Sequence, residues 1–169
     1  IENGEFALVG KADQNFSALV GTNGSVSVTG ADSQFTIGTM GRTDMTGSLN
    51  TLTLADSGKG LVKNGHYKIA KLYAQNGTFE TWAGANTEVA QMTLAADGIV
   101  DNKGTMSIAA FSDVAGSQTG NAGVMTYTTA TTVNGNVTNK TGGTLNYNEK
   151  LTVAGNLSTE ASSTTNVGD

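Results

Sequence analysis

The sequence predicts an all-β fold, namely a right-handed parallel β-helix (a β-solenoid) of about eight coils with roughly 20 residues in each. Three observations lead to this prediction: an unusual composition, alternation of apolar and polar residues, and a repeat with a constant period. Gly, Asn, Ser and Thr together fill close to half of the 169 positions, whereas charged residues supply 14% and Pro is absent. Disordered chains usually combine low hydrophobicity with high charge and much Pro, so this composition favours ordered β-structure with many turns.

The apolar residues are mainly β-forming and alternate with polar ones, as in strands that bury one face. Absence of Pro fits stacked coils, because an interior strand must donate its N–H groups to a neighbour on each side. No segment shows a convincing helical period.

A glycine precedes alternating segments at steps of roughly 18–23 residues, which is the length of one solenoid coil. The segments are Gly24-Ser-Val-Ser-Val, Gly47-Ser-Leu-Asn-Thr-Leu, Gly65-His-Tyr-Lys-Ile, Gly104-Thr-Met-Ser-Ile, Gly123-Val-Met-Thr-Tyr and Gly143-Thr-Leu-Asn-Tyr, with Gly84-Ala-Asn-Thr-Glu-Val as a weaker member. We expect these glycines to form tight turns in which they supply a positive φ.

Two other motifs repeat with the same period. Thr132-Val-Asn-Gly-Asn-Val137 returns as Thr152-Val-Ala-Gly-Asn-Leu157, and Leu52-Thr-Leu-Ala55 returns two coils later as Met92-Thr-Leu-Ala95. Agreement between independent motifs makes the coil period the firmest feature of the sequence.

Each coil would bury alternate residues in a column shared with its neighbours, because one coil cannot bury its apolar face alone. The predicted inward positions are Val26, Val28, Tyr67, Ile69, Met106, Ile108, Leu145 and Tyr147. Three stretches depart from this pattern. We expect an additional strand pair at residues 71–82, a short non-β insertion at 109–114 and a loop at 116–121.

Charge and residue usage exclude several classes of function. The pI near 4.7 and the scattered basic residues argue against nucleic acid or an anionic membrane as partner, since such binding needs clustered Lys and Arg. No apolar run is long enough to span a bilayer. Absence of Cys excludes disulfides, thiolate metal sites and Cys nucleophiles.

The phrases Asp101-Asn-Lys-Gly-Thr-Met-Ser-Ile, Val137-Thr-Asn-Lys-Thr-Gly-Gly-Thr-Leu-Asn-Tyr and Leu151-Thr-Val-Ala-Gly-Asn-Leu resemble the β-helical passenger regions of autotransporters and filamentous-haemagglutinin-like adhesins. The resemblance covers most of the chain and is best after about Met92. It implies secretion to the surface of a Gram-negative bacterium, with roles in adhesion and virulence, and usually no catalysis by the helix itself. No catalytic residue carries over, because the matching motifs are structural.

His66, the only histidine, stands beside a turn at a predicted outward position. One histidine cannot form a multi-His metal site, and no Ser/His/Asp arrangement follows from the spacing. We therefore interpret His66 as a surface residue.

Paired carboxylates are the stronger test of catalysis, because a glycoside hydrolase needs two acids that project together. The candidate pairs are Asp97 with Asp101, Glu80 with Glu88, and Asp56 with Asp97. Asp56 and Asp97 occupy matching repeat positions, which indicates turn chemistry. A lyase site at Arg42 and Asp44, and a calcium site at Asp97, Asp101 and Asn102, are alternatives with less support.

Trp82, the only tryptophan, lies near Phe79 and is predicted to pack in the core. The alternative interpretation is an exposed aromatic platform for a sugar ring.

The sequence thus predicts one β-helix domain over residues 1–169, a fragment of a longer exported protein, with no catalytic residues, cofactor or metal. Its expected function is that of a surface-exposed solenoid at the bacterial outer membrane. It would bind a host glycan or protein receptor, mediate self-association between cells, or serve as a stalk. A carbohydrate-active β-helix enzyme and a glycan-binding domain like a phage tail spike are the alternatives.

Overall fold

A computed structural model describes residues 5–9, 13–16, 24–30, 33–38 and 46–168. The described chain is all-β and contains no helix. Its strands are β1 (Glu5–Val9), β2 (Asp13–Phe16), β3 (Ser25–Thr29), β4 (Gln34–Ile37), β5 (Thr46–Ala55), β6 (Lys59–Gln75), β7 (Thr78–Leu94), β8 (Ile99–Asn102), β9 (Thr105–Asp113), β10 (Gln118–Asn121), β11 (Val124–Tyr127), β12 (Thr131–Val133), β13 (Asn136–Asn139), β14 (Thr144–Tyr147), β15 (Leu151–Val153), β16 (Asn156–Thr159) and β17 (Thr164–Val167).

Every strand pair in the described residues is parallel, and the strands of the inner coils pair with strands from the coils before and after them. Thr46 pairs with His66 and His66 with Asn86, so one coil takes about 20 residues. Thr132 likewise pairs with Thr152, and Val137 with Leu157. The structure therefore confirms the β-solenoid and the register of these repeats, whereas Ser25 of the Gly24 segment pairs with Thr51 and not with Ser48.

The strands form three faces. Face A consists of β1, β3, residues 51–55, 71–75, 91–94 and 110–113, and the two-stranded sheet of β12 and β15. Face B consists of β2, β4, residues 59–62 and 78–81, β8, β10, β13 and β16. Face C consists of residues 46–49, 66–69, 86–89 and 105–108, β11, β14 and β17.

The described residues contain about six turns of the solenoid. The predicted number of about eight coils therefore differs slightly from the observed number.

All eight predicted inward residues are buried, and none is more than 1% exposed. Stacked columns of such side chains form one continuous core. One column on face A runs through Val26, Leu52, Leu72 and Met92, each in register with the next. Because each coil covers the apolar side chains of its neighbours, the hydrophobic stabilisation is shared along the axis.

Of the three departures that the sequence suggested, the strands at 71–82 are present but are not additional to the coils, the non-β insertion is wrong, and the loop is limited to a turn before β10. Residues 71–75 and 78–81 are ordinary strands of faces A and B, the stretch 109–113 belongs to β9, and β10 occupies 118–121. Alternation is weaker in these stretches, but pairing with both neighbouring coils supplies the hydrogen bonds that define the strands.

The corner between faces B and C explains most of the glycine repeat, although Gly24 instead precedes β3 of face A and Gly47 lies within β5. A Cβ at Gly104 would collide with the carbonyl oxygens of Trp82 and Ala85, and a Cβ at Gly123 would collide with that of Gly104. Of the seven glycines in the repeat, only Gly65 is described with a positive φ (95°). Close approach of stacked backbones, rather than a positive φ, is therefore the main reason for glycine here.

A buried asparagine ladder lies at the same corner. Asn102 donates to Oδ1 of Asn121 at 2.8 Å, and Asn121 donates to Oδ1 of Asn139 at 3.0 Å. Asn121 also donates to the carbonyl oxygens of Gly123 (3.2 Å) and Thr144 (3.0 Å). All three asparagines are fully buried, so these bonds satisfy polar groups that would otherwise be costly in the core.

Candidate functional site

The predicted turn carboxylates lie at the corner between faces A and B. Asp56 and Asp97 are exposed and have φ values of 49° and 60°. Asp tolerates this left-handed conformation better than most residues, because its short side chain bonds to the local backbone. The structure therefore confirms that their matching positions reflect turn chemistry.

Asp101 and Glu80 form the acid pair that the sequence-based pairing missed. The two residues are register partners on adjacent coils of face B. Their carboxylates are 24% and 33% exposed and face the same surface groove of about 290 Å³. The signal available in the sequence was the coil period of about 20 residues, which places Glu80 beside Asp101 rather than beside Glu88.

Two lysines neutralise this acid pair. Lys103 Nζ lies 2.5 Å from Oε1 of Glu80 and 3.7 Å from Oδ2 of Asp101. Lys140 Nζ lies 2.6 Å from Oδ1 of Asp101, although 39 residues separate the two in the chain. Lys140 reaches Asp101 across the intervening coil because Gly120 leaves the space that a Cβ would fill.

Ion pairs with lysine occupy both carboxylates of the pair. The hydrogen bond from Lys103 to Glu80 raises the pKa of the lysine, and the nearby charge of Asp101 adds to this effect. General acid catalysis by a carboxyl group needs a protonated form near neutral pH, which requires a raised pKa. Each carboxylate here instead has a lysine ammonium group within hydrogen-bonding distance.

Trp82 borders the acid pair and does not pack in the core. Its side chain is half-buried, and the indole Nε1–H donates to Oε1 of Glu80 at 3.2 Å. Lys63 Nζ lies 5.1 Å from the centre of the ring. The predicted core position of Trp82 is therefore wrong, whereas Phe79 is fully buried as expected. The inward register falls on Phe79 and Thr81, which turns Trp82 outward.

His66 is partly exposed on face C, as predicted, and belongs to a cluster of charged groups. Its Nε2 lies 2.7 Å from Oε1 of Glu88, and Lys68 Nζ lies 3.3 Å from Oε2 of the same carboxylate. The hydrogen bond to His66 is the main cause of a lowered pKa of Glu88, with a smaller contribution from Lys68. Glu88 thus pairs with Lys68 and His66 and lies on a different face from Glu80.

A long groove runs beside this cluster, parallel to the solenoid axis, and has a volume of about 470 Å³. We call it the alanine groove. Its residues come from four successive coils: Ser48, Leu49 and Asn50; Lys68, Ile69 and Ala70; Glu88, Val89 and Ala90; and Ser107 and Ala109. This groove was not predicted from the sequence, because the alanines form a column only when the coils are aligned in their register.

The remaining sequence-based candidates do not assemble a site. Arg42 and Asp44 lie outside the described residues. Asn102 is hydrogen-bonded in the buried ladder, and Asp101 is paired with lysines. Neither residue therefore points with Asp97 toward a common cation. Within the ranges that the structure describes, no group of three or more His, Cys, Asp or Glu side chains is placed to hold a metal ion.

No family model, curated protein or solved structure matches the chain. The fold itself defines the class of protein, a β-solenoid of parallel coils. Among the described residues, no helix is long and apolar enough to cross a bilayer.

Proposed function

We propose that this chain is a non-catalytic β-solenoid of an exported bacterial surface protein, of the type found in adhesins and autotransporter passengers. In this role it displays its outer faces outside the cell, where it binds a host glycan or protein receptor or associates with copies on other cells. A stalk that carries another binding domain is the simplest form of the same function.

The observation that carries this proposal is the pairing of outer side chains from coil to coil. Ion pairs join Glu88 to Lys68 and Glu80 to Lys103. Further along the axis, amide and hydroxyl groups take over this role. They pair Asn146 with Thr126, Asn166 with Asn146, Asn156 with Asn136 and Ser158 with Thr138. The groups that could carry chemistry therefore support the stack, as expected for a scaffold.

A carbohydrate-active enzyme is the second candidate, and one observation favours it. Glu80 and Asp101 project from adjacent coils into one groove, which is the arrangement that a hydrolase of this fold would need. The lysines argue against it, since each of the two carboxylates is already engaged in an ion pair.

A trimer like that of phage tail spikes needs a large apolar outer face. The exposed large apolar residues in the described chain are Val114, Val124, Val153 and Val167, which come from different strands and turns. Isolated exposed residues of this kind are normal on a monomer surface.

The experiment that tests the proposal compares adhesion with turnover. The purified chain is coupled to beads, and both bead aggregation and binding to epithelial cells are measured beside beads that carry an unrelated solenoid. We expect adhesion or aggregation by the chain, unchanged in the double variant Glu80→Gln/Asp101→Asn. Release of reducing sugar or unsaturated product from a polysaccharide panel, abolished by the same variant, would establish the enzyme instead.

A further inference from the structure

We infer that the alanine groove is a binding site for an uncharged, extended glycan chain that lies along the solenoid axis with one sugar unit over each coil. This inference rests on the proposed surface function and names the chemistry of its ligand. The groove was defined above by its lining residues on four successive coils.

The shape of the groove selects a linear ligand. Two rows of side chains line the groove, one of alanines and one of polar residues, and each row has one position per coil. The coils are spaced by about 4.8 Å. Four coils therefore give a straight path of about 14 Å between the first and last rows. An extended chain of pyranose rings has a repeat close to the coil spacing, so successive rings meet equivalent positions.

The floor suits a flat apolar ring face. Ala70, Ala90 and Ala109 are exposed and follow the buried residues Ile69, Val89 and Ile108. Methyl groups leave the groove shallow and offer dispersion contacts to the C–H face of a sugar. On the next coil, Thr128 follows Tyr127 at the equivalent position, and its larger polar side chain marks one end of the alanine row.

The rim supplies hydrogen-bonding groups at the coil spacing. Ser48, Lys68, Glu88 and Ser107 are consecutive register partners along one wall. The serine hydroxyls can both donate to and accept from sugar hydroxyls, whereas the ammonium group donates and the carboxylate accepts. Asn50 lies between Leu49 and Thr51, the register partners of Ile69 and Lys71, and adds an amide at the other end of the alanine row.

Charge favours an uncharged ligand. Glu88 is bonded to both Lys68 and His66, so the rim carries opposite charges that largely cancel when the histidine is neutral. Neither a polyanion nor a polycation finds net attraction at such a wall. A sulfated or uronic-acid chain would instead meet the carboxylate of Glu88 without a surplus cation.

The backbone argues against an extended peptide in the groove. Residues 46–49, 66–69, 86–89 and 105–108 use their backbone groups in the parallel pairing between coils. Strand addition requires free N–H and C=O groups at a sheet edge. The groove therefore offers a peptide only side-chain contacts.

The experiment measures binding to the purified chain by calorimetry with four probes: uncharged β-linked glucose oligosaccharides, uncharged N-acetylglucosamine oligosaccharides, an oligouronate of equal length and a long-chain alkyl glycoside. We expect binding of at least one uncharged series, with affinity that rises with length and levels off at about four units. Affinity should change less than about twofold between low and physiological salt, because no net charge is involved.

Variants locate the site. Ala90→Trp fills the groove with an exposed side chain and should weaken binding by at least about tenfold. Ala130→Trp is the matched control, since Ala130 is also exposed but lies outside the groove. Circular dichroism and thermal melting verify that both variants fold.

The outcomes separate this inference from the proposed function. Three results would overturn the glycan site: preference for the oligouronate, binding of the alkyl glycoside through its alkyl chain alone, or an equal loss of affinity in both variants. Failure of both uncharged series to bind would overturn it as well. If bead adhesion persists in any of these cases, only the assignment of the groove as a glycan site is wrong. If adhesion is absent and oligosaccharides still bind, the proposed surface function is wrong.

Discussion

The central coils and the C-terminal coils form the same solenoid from different local structures. In the centre, β6 and β7 each run for 17 residues and pass around the corners without interruption. After β9, no strand is longer than four residues, and turns separate the faces. The coil length is nevertheless nearly constant: Lys68 pairs with Glu88 and Asn146 with Asn166. Stacking therefore fixes the number of residues in each coil, whereas the path of the backbone around each corner varies.

The cores of the two regions differ in the same way. Leucine, isoleucine, valine and methionine fill the central columns, as in the series Leu49, Ile69, Val89 and Ile108. Toward the C-terminus, one column changes to buried asparagine, and another contains the stacked rings of Tyr127 and Tyr147, with centres 4.7 Å apart. In the C-terminal coils, where turns interrupt the strands, directional ladders of polar side chains therefore replace part of the apolar packing.

The largest expected effect is at the asparagine ladder. Asn121→Ala removes the donor to Oδ1 of Asn139 and the acceptor of Asn102, together with the side-chain bonds to the carbonyl oxygens of Gly123 and Thr144. We expect a loss of about 4 kcal/mol, since each unsatisfied buried polar group costs about 1–3 kcal/mol. Denaturant unfolding measures the loss.

Asn136→Ala is the control for that substitution. Asn136 lies in an exposed ladder, where it accepts a bond from Asn156. Its removal should cost less than about 0.5 kcal/mol, because water replaces the bond. Equal losses in the two variants would show that burial does not distinguish the two ladders.

The second effect concerns the apolar column. Leu72→Ala creates a cavity between Leu52 and Met92, and Leu72 is fully buried. We expect a loss of about 3 kcal/mol from the transfer and cavity terms. Leu72→Met, which keeps the volume, should cost less than about 1.5 kcal/mol. A loss at Leu72→Ala as small as that of the methionine variant would contradict a tightly packed central core.

The third prediction is a gain in stability in the C-terminal coils. The hydroxyl oxygens of Tyr127 and Tyr147 are buried without a hydrogen-bond partner. Burial raises the pKa of Tyr147, so the hydroxyl is uncharged at physiological pH. Tyr147→Phe retains the ring stack and removes an unpaired group, and we expect stabilisation of about 0.5–1 kcal/mol. Thermal melting would contradict this expectation if the variant melted below the wild type.

The smallest expected effect is the pH dependence at Glu88. Its pKa is lowered in the folded state, chiefly by the hydrogen bond to His66. The resulting stabilisation is present above the pKa of the unfolded chain and is lost as the pH falls through the lower folded value. Because the carboxylate is 45% exposed, solvent screening limits the effect to about 0.3 kcal/mol.

Unfolding between pH 6 and pH 3 measures this contribution, with Glu88→Gln as the variant that removes it and Glu149→Gln as an exposed comparison. An equal change in slope for the two variants would contradict a specific contribution from the pair of Glu88 with His66.

Much of the fold could be predicted because coil stacking repeats local signals. Alternation placed Tyr67 and Ile69 inside, and the period aligned Thr132 with Thr152. The stretches at 109–113 and 118–121 were misread as irregular, because their strands depend on pairing with adjacent coils rather than on local pattern. Trp82 was misplaced because large aromatic residues are usually buried, whereas its register points outward.

The candidate surfaces were less predictable than the fold. Nearness of Glu80 to Asp101 follows from the coil period, but the sequence-based pairs relied on separation along the chain. Lys140 reaches Asp101 over two coils only because Gly120 leaves room, which no spacing rule indicates.

By itself, the sequence determined the coil period, the inward columns and the positions of glycine at the corners, since these follow from alternation and repeat length. Tertiary structure decided which glycines serve close approach, how strands pass around the corners, and which acids meet which lysines. The physical reason is that stacking brings residues about 20 positions apart within hydrogen-bonding distance, so side-chain chemistry depends on the register between coils rather than on neighbours in the chain.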